Sequence, residues 1–257
     1  MASVNFAKLT RQKLGALHVH LDKDARAEHN HANRHIDTAL THLNSFIGCE
    51  DYHDIVRAVD ERVKAVDADS PPLRRNRDRV VACSLEAPCP APITEAGRSD
   101  EFFELFYELL REFFGADNVC GGTSHRDEVH NYADRDGTIQ TSLEHAHYIV
   151  VPYAEWTDAK GRERKGINGK HWETREMLTR FNQAVNDMCL REFGLEYNTH
   201  GLAEHKTVEE LKRRSDSIEV TQRDQELIDR HNHLVDQIAE LTDTYNNLVD
   251  RIRDISR

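Results

Sequence analysis

The order of apolar and polar residues predicts a chain in which a few strands alternate with amphipathic helices. Apolar runs of strand length occupy residues 4–9, 79–85, 118–123 and 148–152. Apolar positions three and four residues apart predict helices over residues 52–66, 99–114 and 174–193, and a helical stretch starts near Arg11. This element order indicates the α+β class, with an antiparallel sheet covered by helices.

Turn-forming and capping residues define several boundaries of these elements. Ser99 or Asp100 is the expected N-cap of the second helix, and Gly115 is its expected end. The prolines in residues 87–92 predict irregular structure there. Residues 153–169 are basic and contain glycine, which indicates a loop.

A different pattern begins at Leu227. Apolar and aromatic residues, with one histidine, recur at alternating spacings of four and three over about four heptads, which favours a coiled coil. The positions are 227, 231, 234, 238, 241, 245, 248, 252 and 255. We expect a main domain over residues 1–214 and a C-terminal helix over residues 215–257 that makes a homodimer or binds a partner. The alternative is a single amphipathic helix that folds back on the domain.

Composition narrows the class of protein. Neither a membrane-length apolar run nor the apolar core of a secretory signal occurs in the 257 residues, so we expect a cytoplasmic protein. The five cysteines are dispersed without a C-x-x-C pair, which indicates reduced thiols. The net charge of -12 argues against binding to nucleic acid, but phosphate contacts need only a local basic surface. Such local surfaces contain Lys8, Arg11, Lys13, Arg34, Arg74, Arg75, Lys165 and Lys170.

Two histidine motifs lie on either side of a turn-forming Asp-Gly segment. The first is His125-x-Asp127-Glu128, and the second is His145-x-His147 at the start of an apolar run. Side chains two residues apart in a strand point to the same face, so His145 and His147 can coordinate one metal ion together. If the two strands pair, three imidazoles converge on a divalent metal site. Surface histidines are the alternative in a chain with 16 of them. A serine hydrolase is disfavoured because no G-x-S-x-G motif accompanies the Ser, His and Asp residues.

The segment near the N-terminus supplies a second kind of histidine. His18 and His20 are followed by the basic residues Lys23 and Arg26. A histidine beside a bound metal and a phosphate can act as nucleophile or as general acid and base.

Three ordered sequence blocks resemble the Mob/Pre (MobV-type) plasmid mobilisation relaxases, a branch of the HUH endonucleases. They span the first four-fifths of the chain. The blocks are Asn30-His-Ala-Asn33-Arg34-His-Ile-Asp37 with Thr41-His-Leu-Asn44, then the two histidine motifs, and finally His205-Lys206-Thr-Val-Glu-Glu-Leu-Lys212.

The resemblance implies an HUH-relaxase sheet and an enzyme that nicks and joins single-stranded DNA at a transfer origin. A covalent link to the 5′ phosphate conserves the phosphodiester energy, so nicking needs no ATP. His125, His145 and His147 would hold Mn²⁺ or Mg²⁺, with Glu128 as a further ligand or a neighbour of the ligands. The expected partners are origin DNA and a coupling or mating-apparatus protein. DNA contacts are expected from the basic residues above and from Asn33, His205 and Lys206.

The identity of the nucleophile stays open between three residues. The family usually has a histidine followed three residues later by arginine, and His20-Leu-Asp-Lys23 is the nearest form here. We favour His20 and place His18 second. An ungapped alignment back from Asn30 instead puts Lys23 at the nucleophile position, with Arg26 as its arginine. In that case the protein binds metal and DNA without nicking.

Three other functions are weighed against the relaxase. A rolling-circle replication initiator would use the same metal-binding strands with a tyrosine nucleophile. A non-catalytic protein descended from a relaxase would bind or assemble the origin without a covalent adduct. A metallohydrolase of small substrates would act without DNA.

Overall fold

The fold is built on a five-stranded antiparallel sheet. Its structure, a computed structural model, describes residues 4–28, 36–72, 78–128, 131–133, 139–158, 160–197 and 230. The strands are β1 (Asn5–Thr10), β2 (Phe46–Ile47), β3 (Val80–Pro88), β4 (Val119–His125), β5 (Asn131–Ala133), β6 (Ile139–Thr141), β7 (His145–Val150), β8 (Tyr153–Thr157) and β9 (Glu163–Ile167). The central sheet has the order β1-β3-β7-β4-β2, and each neighbouring pair is antiparallel.

Seven α-helices accompany these strands in the described part of the chain. They are α1 (Arg11–Ala16), α2 (His18–Leu21), α3 (Lys23–Glu28), α4 (Tyr52–Asp69), α5 (Ala91–Glu95), α6 (Ser99–Phe114) and α7 (Arg175–Phe193). Three short 3₁₀ helices cover Thr41–Leu43, Ala116–Asn118 and His171–Glu173.

The chain divides into two units. The first comprises residues 1–129 and 142–203, and the second comprises residues 130–141 and 204–257. The central sheet and all seven helices belong to the first unit. The antiparallel pair β5 and β6 belongs to the second.

Each face of the central sheet has its own apolar core because successive side chains of a strand point to opposite faces. Tyr148 and Val150 of β7 pack in the cluster that contains α6 and α7. Ile149 and Val151 pack in the cluster that contains α1, α2 and α4. The apolar run that follows His147 is therefore buried on both sides of the sheet.

Local sequence explains the longer helices. Asp51 caps α4, because its carboxylate accepts a hydrogen bond of 2.8 Å from the Asp54 amide. Thr174 caps α7 in the same way. Gly115 ends α6 at a φ of 89°, a backbone conformation that glycine adopts readily.

Most predicted elements are confirmed, but three details are wrong. The N-cap of α6 is Arg98 and its side chain makes no capping bond, so neither Ser99 nor Asp100 is the cap. The proline-containing segment continues β3 to Pro88 and then forms α5, with Pro at the start of the helix where its missing N–H costs nothing. The basic segment after Pro152 forms the paired strands β8 and β9.

The C-terminal part of the sequence lies outside this description. The coiled-coil pattern and the domain boundary at residue 214 involve residues that the structure does not describe, Arg230 excepted, and both stay predictions. Among the described residues, no helix is long and apolar enough to cross a membrane.

Replacement of Phe106 by alanine tests the core between the sheet and α6. The ring is fully buried, stacks on Tyr148 and meets Phe181 edge to face. Because the cavity cannot fully collapse, we expect Phe106→Ala to lower the free energy of unfolding by about 3–5 kcal/mol in urea titrations. Leu190→Ala, at a side chain that is 43% exposed, is the control and should change it by less than about 0.5 kcal/mol. Equal effects of the two variants would contradict this assignment of the core.

Candidate metal centre and the neighbouring histidine

Three of the predicted histidines meet because β4 and β7 pair directly. His125 lies opposite His145, and Thr123 lies opposite His147. Directly opposed residues of an antiparallel pair point to the same face, and His147 is two residues beyond His145. All three imidazoles therefore lie on the face that carries α1, α2 and α4, as the motif spacing predicts.

The three rings form a compact cluster. Ring centroids are 5.3 Å apart for His125 and His145, 5.1 Å for His125 and His147, and 5.2 Å for His145 and His147. The potential ligand atoms of His125, Glu128 and His145 all lie within 4.8 Å of one another, and so do those of His20, His125 and His147.

Glu128 brings a carboxylate to the same cluster. Its Oε1 lies 3.6 Å from His125 Nδ1, and its Oε2 lies 3.7 Å from His145 Nε2. Burial alone would raise the pKa of Glu128, but the adjacent imidazoles lower it well below its usual range. The group is therefore an anionic oxygen donor beside the nitrogens.

The ring nitrogens are in the state that a metal ligand requires. His125 is 1% exposed, and within the described part of the chain neither ring nitrogen has a hydrogen-bond partner. His145 Nδ1 donates to the Leu143 carbonyl over 3.2 Å, which leaves the lone pair of Nε2 free. Burial lowers the pKa of His125 to about 4 and the pKa of His147 well below its usual value. Three imidazoles, of which His125 has no partner at either ring nitrogen among the described residues, and one carboxylate fit a divalent metal ion.

A fourth imidazole, that of His20 in α2, adjoins this cluster. Its Nε2 is 3.2 Å from His147 Nε2, and its ring centroid is 4.6 Å from that of His125. Burial, reinforced by His125, lowers the pKa of His20 to about 3, so this ring is neutral near pH 7. Residues two apart do not share a helix face, and the His18 ring accordingly packs against Tyr52 and His53.

A change of chain direction at Asp22 decides which basic residue reaches His20. Asp22 is extended, and its carboxylate accepts from the Ala25 amide at the start of α3. Lys23 is exposed there, whereas Arg26 is fully buried. Arg26 Nη1 donates to His20 Nδ1 at 2.9 Å and to the His20 carbonyl at 3.0 Å. Because a guanidinium can only donate, Nδ1 is the acceptor and Nε2 carries the proton of the neutral ring.

The remaining donors of Arg26 are held by two carboxylates. Nε and Nη2 form a bidentate pair with Asp127 at 2.6 and 3.0 Å, and Nη2 also reaches Glu128 Oε1 at 2.5 Å. Asp127 is completely buried. Such a pair has a fixed geometry, so the position of Arg26 follows from that of Asp127.

Five of the predicted DNA contacts lie in the described residues. All but Lys8 are exposed, and three of the five form ion pairs, Lys8 with Glu173, Arg11 with Asp60 and Lys165 with Asp69; the other two are Lys13 and Lys170. Six other predicted contacts lie outside the described residues, namely Asn33, Arg34, Arg74, Arg75, His205 and Lys206.

Three residues around the site were not predicted as functional. They are Asp127, Thr41, whose hydroxyl donates to Asp127 Oδ2 at 2.8 Å, and Asn44, whose side-chain oxygen accepts from the Arg126 amide. All three belong to the sequence blocks that carry the family resemblance. Sequence alone gave no signal for their roles, because the contacts join segments more than 80 residues apart.

No protein-family model and no curated protein matches the sequence of this chain.

Solved structures of one relaxase domain do match. A Mn-bound crystal structure at pH 6.8 of the MobM relaxase domain (MOBV; Mob_Pre), bound to plasmid pMV158 oriT DNA, has a TM-score of 0.60 at 22% identity. The match covers 82% of this chain and 97% of that one. A Mn-bound structure of the same domain with 22-nucleotide oriT DNA at pH 4.6 has a TM-score of 0.61 at 21% identity, covering 82% and 98% of the two chains. The resemblance to the Mob/Pre relaxases is thereby confirmed in three dimensions, and the chain has the fold of a MobV (Mob_Pre) relaxase domain.

Proposed function

We propose that the protein is a cytoplasmic plasmid mobilisation relaxase. It nicks one strand of DNA at a specific site of a transfer origin, stays attached to the 5′ phosphate through His20, and rejoins the strand later. The observation that carries this proposal is the neutral imidazole of His20, whose Nε2 is 3.2 Å from His147 within a cluster of three further imidazoles and a carboxylate. The shared fold with a relaxase domain supports it.

The proposed metal is a divalent ion, Mn²⁺ or Mg²⁺, held by His125, His145 and His147 with Glu128 as a further ligand or neighbour. When bound, such an ion polarises the scissile phosphate and offsets the charge that develops in the transition state. The MobM structures that share the fold contain Mn and oriT DNA, which supports this choice of ion and of substrate.

The proposed nicking step exchanges a proton for a phosphoryl group on His20. A bond forms between Nε2 and phosphorus, and the bond between phosphorus and O3′ breaks. The Nε2–H bond breaks as the Nε2–phosphorus bond forms, which frees the electron pair that attacks, and the proton ends on the leaving 3′ oxygen, which becomes a 3′ hydroxyl. The product imidazole is neutral, and its Nδ1 still accepts from Arg26 as it does before the reaction. The reverse exchange rejoins the strand.

Adduct formation tests the nucleophile. The probe is a supercoiled plasmid that carries the DNA flanking the coding sequence, incubated with MnCl₂ and the full-length protein. We expect relaxed plasmid with protein attached in a form that resists detergent, and we expect no adduct with His20→Ala. A nitrogen–phosphorus bond is cleaved by mild acid, whereas the tyrosine ester of a replication initiator survives.

His18→Ala is the matched control, because His18 packs against Tyr52 two residues from the proposed nucleophile. It should keep the adduct. An adduct that persists in His20→Ala would overturn the assignment of the nucleophile. Specific binding of the flanking DNA without any adduct in the unsubstituted protein would favour a non-catalytic origin-binding protein.

Metal binding is tested separately by calorimetric titration with MnCl₂ in the absence of DNA. His125→Ala, His145→Ala and His147→Ala each remove one proposed ligand, and we expect each to weaken Mn²⁺ affinity by at least about tenfold. His42→Ala is the control, because His42 is exposed and its ring bonds only to the nearby Ala39 carbonyl among the contacts described. Unchanged affinity in all three variants would exclude this metal site.

A further inference from the structure

We propose that Thr41 is a positioning residue of the nicking reaction, acting on His20 through Asp127 and Arg26. The expected effect of Thr41 on the rate of nicking rests on the proposed function. It concerns a residue that touches neither the imidazole cluster nor His20 in any described contact.

The first contact in the chain from Thr41 to His20 is a hydrogen bond from the Thr41 hydroxyl to the buried Asp127 carboxylate. Thr41 is 2% exposed, and its Oγ1 donates to Asp127 Oδ2 at 2.8 Å. The same oxygen accepts from Arg26 Nε at 2.6 Å. Removal of the hydroxyl would take away one of the bonds that fix the rotation of the carboxylate, so the carboxylate and the Arg26 side chain paired with it could shift together.

The second contact in this chain joins Arg26 to His20. One nitrogen, Nη1, donates both to the His20 carbonyl and to Nδ1 of the ring. The guanidinium therefore fixes the rotation of the His20 imidazole relative to the backbone of α2. A shift of Arg26 changes where Nε2 points and which ring nitrogen carries the proton.

The segment that carries Thr41 is itself fixed against the end of β4. The Asp37 amide donates to the Asp127 carbonyl at 2.8 Å, and the Arg126 amide donates to Asn44 Oδ1 at 2.8 Å. The Asn44 contact lies just past Thr41 and the Asp37 contact just before it. The hydroxyl is thus held at a defined point, which is what a positioning contact requires and a loose surface bond lacks.

Thr41→Val tests this chain of contacts because valine has the shape of threonine without the hydroxyl. With the full-length protein, MnCl₂ and the flanking-DNA plasmid, we expect kcat for nicking to fall about tenfold while KM for DNA stays unchanged. Thr41→Ser restores the hydroxyl and should restore kcat. The control is Thr94→Val, which removes a half-buried hydroxyl that pairs with Ser99 at 3.3 Å between α5 and α6, and it should leave kcat unchanged.

Nitrogen-15 NMR of the imidazole rings supplies a readout that needs no DNA cleavage. In the unsubstituted protein we expect His20 to show a single tautomer protonated at Nε2. In Thr41→Val we expect two tautomers or broadened His20 signals, with His145 unchanged. Persistence of the single tautomer in Thr41→Val would overturn the inference, whether or not the protein nicks DNA.

Kinetic measurements can contradict the inference about Thr41 independently of the NMR result. An unchanged kcat in Thr41→Val would do so, as would equal losses in Thr41→Val and Thr41→Ser, because serine keeps the donor. If the unsubstituted protein forms no adduct while the NMR result is as expected, the proposed function is wrong. The claim that Thr41 positions the His20 ring through Asp127 and Arg26 would still stand.

Discussion

The buried ion pair between Arg26 and Asp127 is the interaction on which the geometry of the site depends. Both side chains are fully buried, so each charge has lost its water and is stabilised by the other and by further hydrogen bonds. Among the described contacts, those bonds include ones with Thr41, Glu128 and His20. Removal of Arg26 or of Asp127 would leave the other charge uncompensated in the interior, and the Thr41 hydroxyl bond ties a third segment of the chain to this pair.

The strand that supplies two of the imidazoles also supplies the core. Tyr148 and Val150 of β7 face the apolar layer of α6 and α7, while His145 and His147 share the opposite face with Ile149. A side chain on a central strand with both faces covered has little freedom to move. Close packing also restricts the backbone, because a Cβ on Gly122 would lie 2.6 Å from the His147 carbonyl oxygen. The candidate ligands are therefore placed by the rigid part of the fold.

Sequence periodicity predicted the elements whose stability is local. The helices around residues 52–66, 99–114 and 174–193 are confirmed because each buries a regular apolar stripe. The strand before His125 is also confirmed, and it is buried along its whole length between its neighbours in the sheet. The paired strands β8 and β9 were missed because charged residues such as Glu155, Arg164 and Lys165 hide the alternation, and cross-strand pairing compensates for them.

For the candidate site, the sequence by itself determined the residue types and their shared faces. H-x-H on a strand requires two imidazoles on one side, whatever the rest of the chain does. Tertiary structure alone decided which upstream residue stands beside them. Linear comparison favours His20 but leaves His18 and Lys23 open, whereas in the structure α2 ends at Leu21 and α3 begins after Asp22. That break buries Arg26 against Asp127, 101 residues away, and the buried charge pair brings His20 rather than its neighbours to the cluster.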